Sequence, residues 1–460
     1  MLKATSARQE MSPMTDFRTD DVTDVVKDLR LHQGADDGTA MGPVDTDAEL
    51  VRIPVHRYTT PEFAALELQR MWPRTWQLAC SADHVAEPGD WFEYRSGPFS
   101  VLVVRGDDGE LRAFQNSCRH RGNSLCSGGG RGLAELKCGY HGWTWDLKGK
   151  LTKVPGRKGF GRLRLADFPL NAASADTWGP FVFVNLDPSA APLADYLEGV
   201  PDDTAWARMA EFRCSVAITG AVEANWKTVA DGFSETYHIQ TLHPELLHNV
   251  DDVNAPQRLW GHTGKSEQTY GIPSPRFRGE ATAQEVWESF VVTQGGRMGV
   301  KEPGEVPGVP DGSTLADVIA EAIRTHSLTS GTDLSGFDTA QIMKLHQYNL
   351  FPNCTVLLTA DTLNALTARP GPTPDSAEMT IFTFRRAAPG AEHTPPQDMR
   401  VAFQDLDLGY VLNQDAEILA GIQRGLHQPG TTEILLSQEE KRIINMHRNL
   451  EEYLGISSDG

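Results

Sequence analysis

The sequence predicts an α+β fold in two parts, a small all-β domain ahead of a larger α+β domain, and three observations carry that reading. The chain has 460 residues, 40% of them hydrophobic, which is enough for two or three domains with substantial cores. Around residues 91–185 short runs such as "DWFEYRSG", "FSVLVVRGDDGELRAFQN" and "GPFVFVNL" read as strands. Beyond Pro201 helical and strand patterns both appear, with "TLADVIAEAIRTH" placing Leu315, Val318, Ile319, Ala322 and Ile323 on one helical face.

Taken in order, residues 1–45 are polar and poor in aromatics, which favours a mobile arm. Residues 46–73 form a helical segment expected to pack on the larger domain; "PEFAALELQRMWPRTW" has apolar residues at helical spacing, a proline in the first turn, and a stop before Pro73. The β domain is assigned to 74–187, and "GDDG" between two of its strands is a hairpin signal. The larger domain takes 188–460. In it "QYNLFPNCTVLLTADTLNALTARPG" and "EMTIFTFRRA" are strand-like, "KEPGEVPGVPDG" is a loop, and "NQDAEILAGIQRGL" and "SQEEKRIINMHRNLEEYLG" are helical.

Composition narrows the function classes. The formal net charge of −20 argues against nucleic acid and anionic membrane as partners, and leaves room for a docking patch for a small electron carrier. Six cysteines and no apolar stretch near residue 1 point to a reducing cytoplasm.

The chemistry concentrates in "CRHRGNSLCSGGGRGLAELKCGYHGW", where Cys118-x-His120 and Cys138-x-x-His141 form two ligand doublets on loops between strands. Two thiolates and two imidazoles hold either a tetrahedral zinc or a two-iron cluster in which one iron takes both cysteines and the other both histidines. Pairing one sulfur with one nitrogen on each loop favours the cluster, because zinc fingers more often group Cys with Cys and His with His. Gly122, Gly128, Gly129, Gly130, Gly139 and Gly142 surround the ligands and supply permissive backbone angles. The whole pattern, followed by Gly-Trp, resembles the Rieske [2Fe-2S] motif. Cys80, Cys126, Cys214 and Cys354 have no second ligand at metal spacing and read as small buried hydrophobes.

A second constellation lies in "NWKTVADGFSETYHIQTLHP". Read as one helix, it puts Asp231, Glu235 and His238 at i, i+4 and i+7 in one stripe, and Pro244 lets the chain bend at His243. Two imidazoles and a carboxylate are the ligand set of a non-haem Fe(II) oxygenase. Together the two motifs resemble the catalytic α subunit of Rieske non-haem iron ring-hydroxylating oxygenases, from about residue 50 to the end. The resemblance implies an antiparallel catalytic sheet covered by helices, and a mononuclear Fe(II) held by His238, His243 and a C-terminal aspartate. Asp415 is the best match for the last, with Asp407 in reserve. It also implies that Glu235 bridges to a Rieske histidine, His141, of a neighbouring subunit in a homotrimer, with or without a β subunit. Asp231 joins Glu235 as a candidate catalytic carboxylate. No dinucleotide-binding glycine signature follows a strand, so NAD(P)H is expected to act through a separate ferredoxin or flavin reductase.

The substrate expected is an aromatic or other apolar ring, oxidised with O2, since Leu246, Leu247, Trp260, Tyr270, Phe290, Tyr348, Leu350 and Phe351 offer apolar candidates for pocket or core. His248, His326 and His346 read as core or surface histidines. Dihydroxylation, monohydroxylation and O- or N-demethylation all remain open, because the same metals support each. A pure electron carrier or a zinc-organised binding protein are the readings from other classes.

Overall fold

The structure, a computed structural model, describes residues 49–457 apart from 403, 404, 406 and 407. The expected N-terminal arm and the reserve ligand Asp407 lie outside the described residues. The first sheet is antiparallel and has seven strands, in the order Gln77–Ser81, Phe181–Asn185, Ala172–Trp178, Leu111–Gln115, Phe99–Arg105, Trp91–Ser96 and Gly129–Gly130. The "GDDG" turn joins two of them, with Arg105 opposite Leu111 and Gly109 at φ 79°. Alternation along Phe99–Arg105 serves two cores: Val101 and Val103 pack with Cys80, Val182 and Val184, while Leu102 and Val104 pack with Trp143 and Trp145. A three-stranded sheet, Leu136–Lys137, Thr144–Trp145 and Leu151–Lys153, completes this part of the chain.

The second sheet has nine strands. Its spine is Phe212–Val222 against Ala377–Arg386, Thr362–Pro370, Cys354–Leu358 and Lys344–Leu350, all antiparallel. Helices Trp226–Gly232, Tyr410–Leu426 and Lys441–Leu454 accompany it, and Phe181 and Phe183 of the first sheet share its apolar core. Polar contacts join the two sheets as well: Asp83 Oδ2 accepts from the Cys214 amide at 2.7 Å, and His84 Nε2 lies 3.0 Å from Asp398. Among the described residues no helix is long and apolar enough to cross a membrane.

The segment ahead of the β domain is less uniformly helical than its pattern predicts. Pro61–Arg70 is a helix, with Thr60 accepting from the Phe63 amide, but Val51–Pro54 is a strand paired with Glu433–Leu436. Its partner lies some 380 residues away, so no local signal marks it. The helix is anchored to the larger domain by Glu67, whose Oε1 accepts from Lys227 Nζ at 2.5 Å while Oε2 accepts from Trp226 Nε1 at 3.0 Å. Both partners are buried; burial lowers the Lys227 pKa and raises that of Glu67. Lys227→Met strands the Glu67 carboxylate in the core, and we expect it to cost about 3–5 kcal/mol. Denaturant unfolding checks this, with Glu67→Gln in the same chain expected to restore most of the loss.

Candidate metal centres and substrate cavity

The first candidate centre grows from a helix that stops early. Asn225 caps Trp226–Gly232 by accepting from the Lys227 amide at 3.0 Å. The helix ends at Gly232, so Asp231, Glu235 and His238 do not form the continuous stripe that the spacing predicts. The Ser234 hydroxyl donates to the Ala230 carbonyl at 2.6 Å, and the Phe233 carbonyl turns to the sheet, where Gln347 and Asn349 donate to it at 2.6 and 2.9 Å. These sheet partners lie more than 100 residues away in sequence and outcompete the next turn of helix.

After the break, Glu235 binds His238 twice. Its Oε2 accepts from the His238 amide at 3.1 Å and its Oε1 from Nδ1 at 2.5 Å. His238 opens a short helix, Ile239–Leu242, and His243 leaves it at φ −123°, ψ 56°, non-helical as Pro244 requires. The bend returns the second imidazole to the first, with ring centroids 5.1 Å apart. Asp415 meets both: its Oδ1 is 2.9 Å from His243 Nε2 and 3.7 Å from His238 Nε2. Asp415 does not open its helix, as its sequence context predicts, but sits in the second turn of Tyr410–Leu426, whose first turn holds no acid. Burial opposes protonation of His238, but Glu235 and Asp415 outweigh it and hold the ring above its ordinary pKa.

The arrangement fits a metal ion. Both Nε2 atoms and a carboxylate oxygen converge, and among the described residues this is the one group of three or more such side chains whose ligand atoms all lie within 4.8 Å of one another. Both Nδ1 protons are engaged elsewhere, that of His238 by Glu235 and that of His243 by Gln414 Oε1 at 2.6 Å. This leaves the Nε2 lone pairs free for a metal. Sequence reasoning missed Gln414; its only signal is its place beside Asp415. We expect Gln414→Ala to weaken iron retention about 10- to 100-fold, read by loss of iron to a chelator.

Asp231 is not placed with the triad. Its Oδ2 accepts from the Tyr58 hydroxyl at 2.7 Å, and that oxygen lies 2.7 Å from His447 Nε2. Burial pushes the Asp231 carboxyl up to about 7, against the stabilising Tyr58 hydrogen bond. Glu245, also missed, is fully buried two residues beyond His243, and burial raises it to about 7.

The second candidate centre is a pair of loops with matching closures. The Cys118 amide donates to the Asn123 carbonyl at 2.9 Å and the Cys138 amide to the Trp143 carbonyl at 2.8 Å. Gly122 and Gly142, at φ 78° and 70°, turn their amides back onto the Cys118 and Cys138 carbonyls at 2.9 and 3.0 Å. Both cysteines are buried, the His120 and His141 rings are 4.7 Å apart, and His120 Nδ1 is a buried polar atom without a partner. Cys80, Cys214 and Cys354 are buried in the cores, and Cys126 is half-buried.

A cavity of about 520 Å³ lies between the sheet and the start of the Tyr410–Leu426 helix. Its floor is one sheet face, with Leu366 opposite Ile381, Asn364 opposite Thr383, and Thr362 opposite Arg385. Tyr410, on its wall, interacts with Gln414, the partner of His243, while none of the three triad residues is among those lining the cavity; burial pushes the Tyr410 hydroxyl up to about 12. None of the eight apolar residues put forward for the pocket lines this cavity. Leu246, Leu247, Tyr270, Phe290, Tyr348, Leu350 and Phe351 are buried core, and Trp260 packs against it. Of the three histidines, His326 lines the cavity while His248 and His346 are buried.

The two sites define a thiolate–imidazole iron–sulfur domain joined to a mononuclear-metal domain, and the comparisons agree. Residues 75–169 match the Rieske [2Fe-2S] domain, and residues 203–456, more than half the chain, match the ring hydroxylating alpha subunit (catalytic domain). The chain therefore belongs to the family of ring-hydroxylating Rieske oxygenase alpha subunits. It is 30% identical over 249 residues to a glycine betaine monooxygenase oxygenase subunit of Chromohalobacter salexigens, covering 51% of this chain and 54% of that one. It is 29% identical over 227 residues to a carnitine monooxygenase oxygenase subunit of Escherichia coli, covering 48% and 59%. The matched region thus spans a little over half the length of these curated relatives. In fold it resembles a quaternary ammonium Rieske monooxygenase at TM-score 0.64 and 17% identity, over 88% of this chain and 96% of that one. It also resembles naphthalene 1,2-dioxygenase from Rhodococcus sp. at TM-score 0.60 and 18% identity, over 88% and 94%.

Proposed function

We propose that the chain is the terminal component of a multicomponent Rieske monooxygenase that oxidises a small polar substrate, quaternary ammonium compounds being the first class to try. The observation that carries the oxygenase reading is the convergence of His238 Nε2, His243 Nε2 and Asp415 Oδ1, with both Nδ1 atoms already engaged, in a chain that also holds the Cys118–His120 and Cys138–His141 loop pair. Bound at these two places, an Fe(II) ion supplies dioxygen binding and reduction, and a [2Fe-2S] cluster supplies stored electrons one at a time. Glu235 and Gln414 fix the tautomer of the two histidines, so that each presents Nε2 to the centre. In this reading Glu235 also faces His141 of the partner subunit in a homotrimer, and electrons arrive from NAD(P)H through a separate ferredoxin or flavin reductase.

The choice of a polar substrate over an aromatic ring has two supports. Oxygenase subunits named for glycine betaine and carnitine are among the sequence relatives. The apolar residues that suggested a ring pocket are core, and the cavity floor carries Asn364, Thr383 and Arg385 beside the apolar Ile218, Leu366 and Ile381. The test is iron analysis and EPR of anaerobically purified protein, followed by coupled NADH and O2 consumption with quaternary ammonium and aromatic compounds. About three irons per chain, a reducible cluster signal and O2 uptake with a quaternary ammonium compound are expected. A colourless protein, or one with only the two cluster irons, overturns the oxygenase; uptake with the aromatic set alone overturns the substrate class.

A further inference from the structure

The cavity floor is graded along the strands. At one end, Ile218, Ile381 and Leu366 form an apolar row, which Thr355 extends beneath the Phe233 carbonyl. That end therefore runs toward Phe233, two residues ahead of Glu235. Next comes the row of Leu357, Asn364 and Thr383, and then Thr362 with Arg385. Arg385 is four residues from Ile381, hence about 13 Å along the strand.

Three arginines line the cavity, and two of them are ion-paired within the protein. Arg297 is paired with Asp361, its Nε 3.0 Å from Oδ2 and its Nη2 2.5 Å from Oδ1. Arg386 donates to Glu211 at 2.7 Å and to the Ala207 and Ala360 carbonyls at 2.6 and 2.7 Å. Among the described residues, Arg385 has no hydrogen bond or ion pair, although its side chain is exposed and free to find one. Burial against surrounding protein lowers its pKa, and Asp361 opposes that shift. Among the described residues Asp361 pairs with Arg297 and Glu211 with Arg386, while Arg385 has no ion-pair partner and feels Asp361 only at longer range; its planar fork matches a carboxylate.

We propose that Arg385 anchors a carboxylate of the substrate, so that the cavity takes a small carboxylic acid whose charged end lies at Arg385 and whose oxidised end lies toward Ile218, Leu366 and Ile381. This rests on the reading of the cavity as the substrate site of a Rieske oxygenase. The volume, about 520 Å³, suits a small molecule.

The test titrates the iron-loaded, anaerobic protein by calorimetry with two matched pairs: 4-(trimethylammonio)butyrate against its carboxamide, and 4-phenylbutyrate against its carboxamide. In at least one pair the carboxylate is expected to bind about 10- to 100-fold more tightly than the amide. Arg385→Gln should bring that ratio close to one, and Arg385→Lys should keep part of it as a point charge. Arg385 makes no hydrogen bond or ion pair among the described residues, so the circular dichroism spectrum of either variant should match that of the parent. An unchanged ratio in Arg385→Gln, or no carboxylate preference in either pair, overturns the anchor. The two readings fail separately: an intact ratio without O2 consumption defeats the oxygenase and leaves the anchor standing, while turnover indifferent to Arg385 does the reverse.

Discussion

His243→Ala is expected to leave the protein with about two irons per chain in place of about three, and with no measurable product. His243 is the most enclosed member of the triad, its side chain 1% exposed, and its Nε2 is the one closest to Asp415. Alanine leaves the centre with two of its three donors. The rate should therefore fall well beyond the roughly 100-fold typical of a lost outer hydrogen bond. The loop pair is built from other residues, so the EPR signal of the reduced cluster should persist. A variant that keeps its full iron complement and its rate would remove His243 from the centre.

Glu235→Ala is expected to separate metal content from electron delivery. With Fe(II) supplied in excess both centres should be loaded and the cluster should reduce normally, yet substrate-dependent oxidation of that cluster in a single turnover should slow by about 100-fold or more. The expectation rests on the double grip of Glu235 on His238, through the amide and through Nδ1, and on the proposed contact with the neighbouring subunit. Glu235→Gln keeps an acceptor for Nδ1 but removes the charge, so it should fall between the two. A normal single-turnover rate in Glu235→Ala would reduce this residue to a local cap.

How much of this was legible in the sequence follows from how local each feature is. The Cys118, His120, Cys138 and His141 loops are short-range constructions whose glycines and spacings stand next to one another in the chain, and so does the bend between His238 and His243. Asp415 is more than 170 residues from either histidine and was found through resemblance, with its helix start misplaced by five residues. The end of the helix at Gly232 was misread because its cause, Gln347 and Asn349 reaching the Phe233 carbonyl, comes from a distant strand. The cavity was missed for a related reason. Its floor is made of alternate residues on separate strands, and only register brings Arg385, Thr383 and Asn364 onto one face, while the large apolar residues that draw the eye in the sequence fill the core.

The triad is lopsided toward solvent: the His238 side chain is 23% exposed, against 1% for His243. The ring that Glu235 steadies is therefore the more open side of the triad, the doorway an incoming ion is expected to use and to leave by when a chelator draws it out. If a neighbouring chain closes over that doorway, loading must precede assembly, and apo-protein that has already assembled should take up metal only as fast as its subunits part.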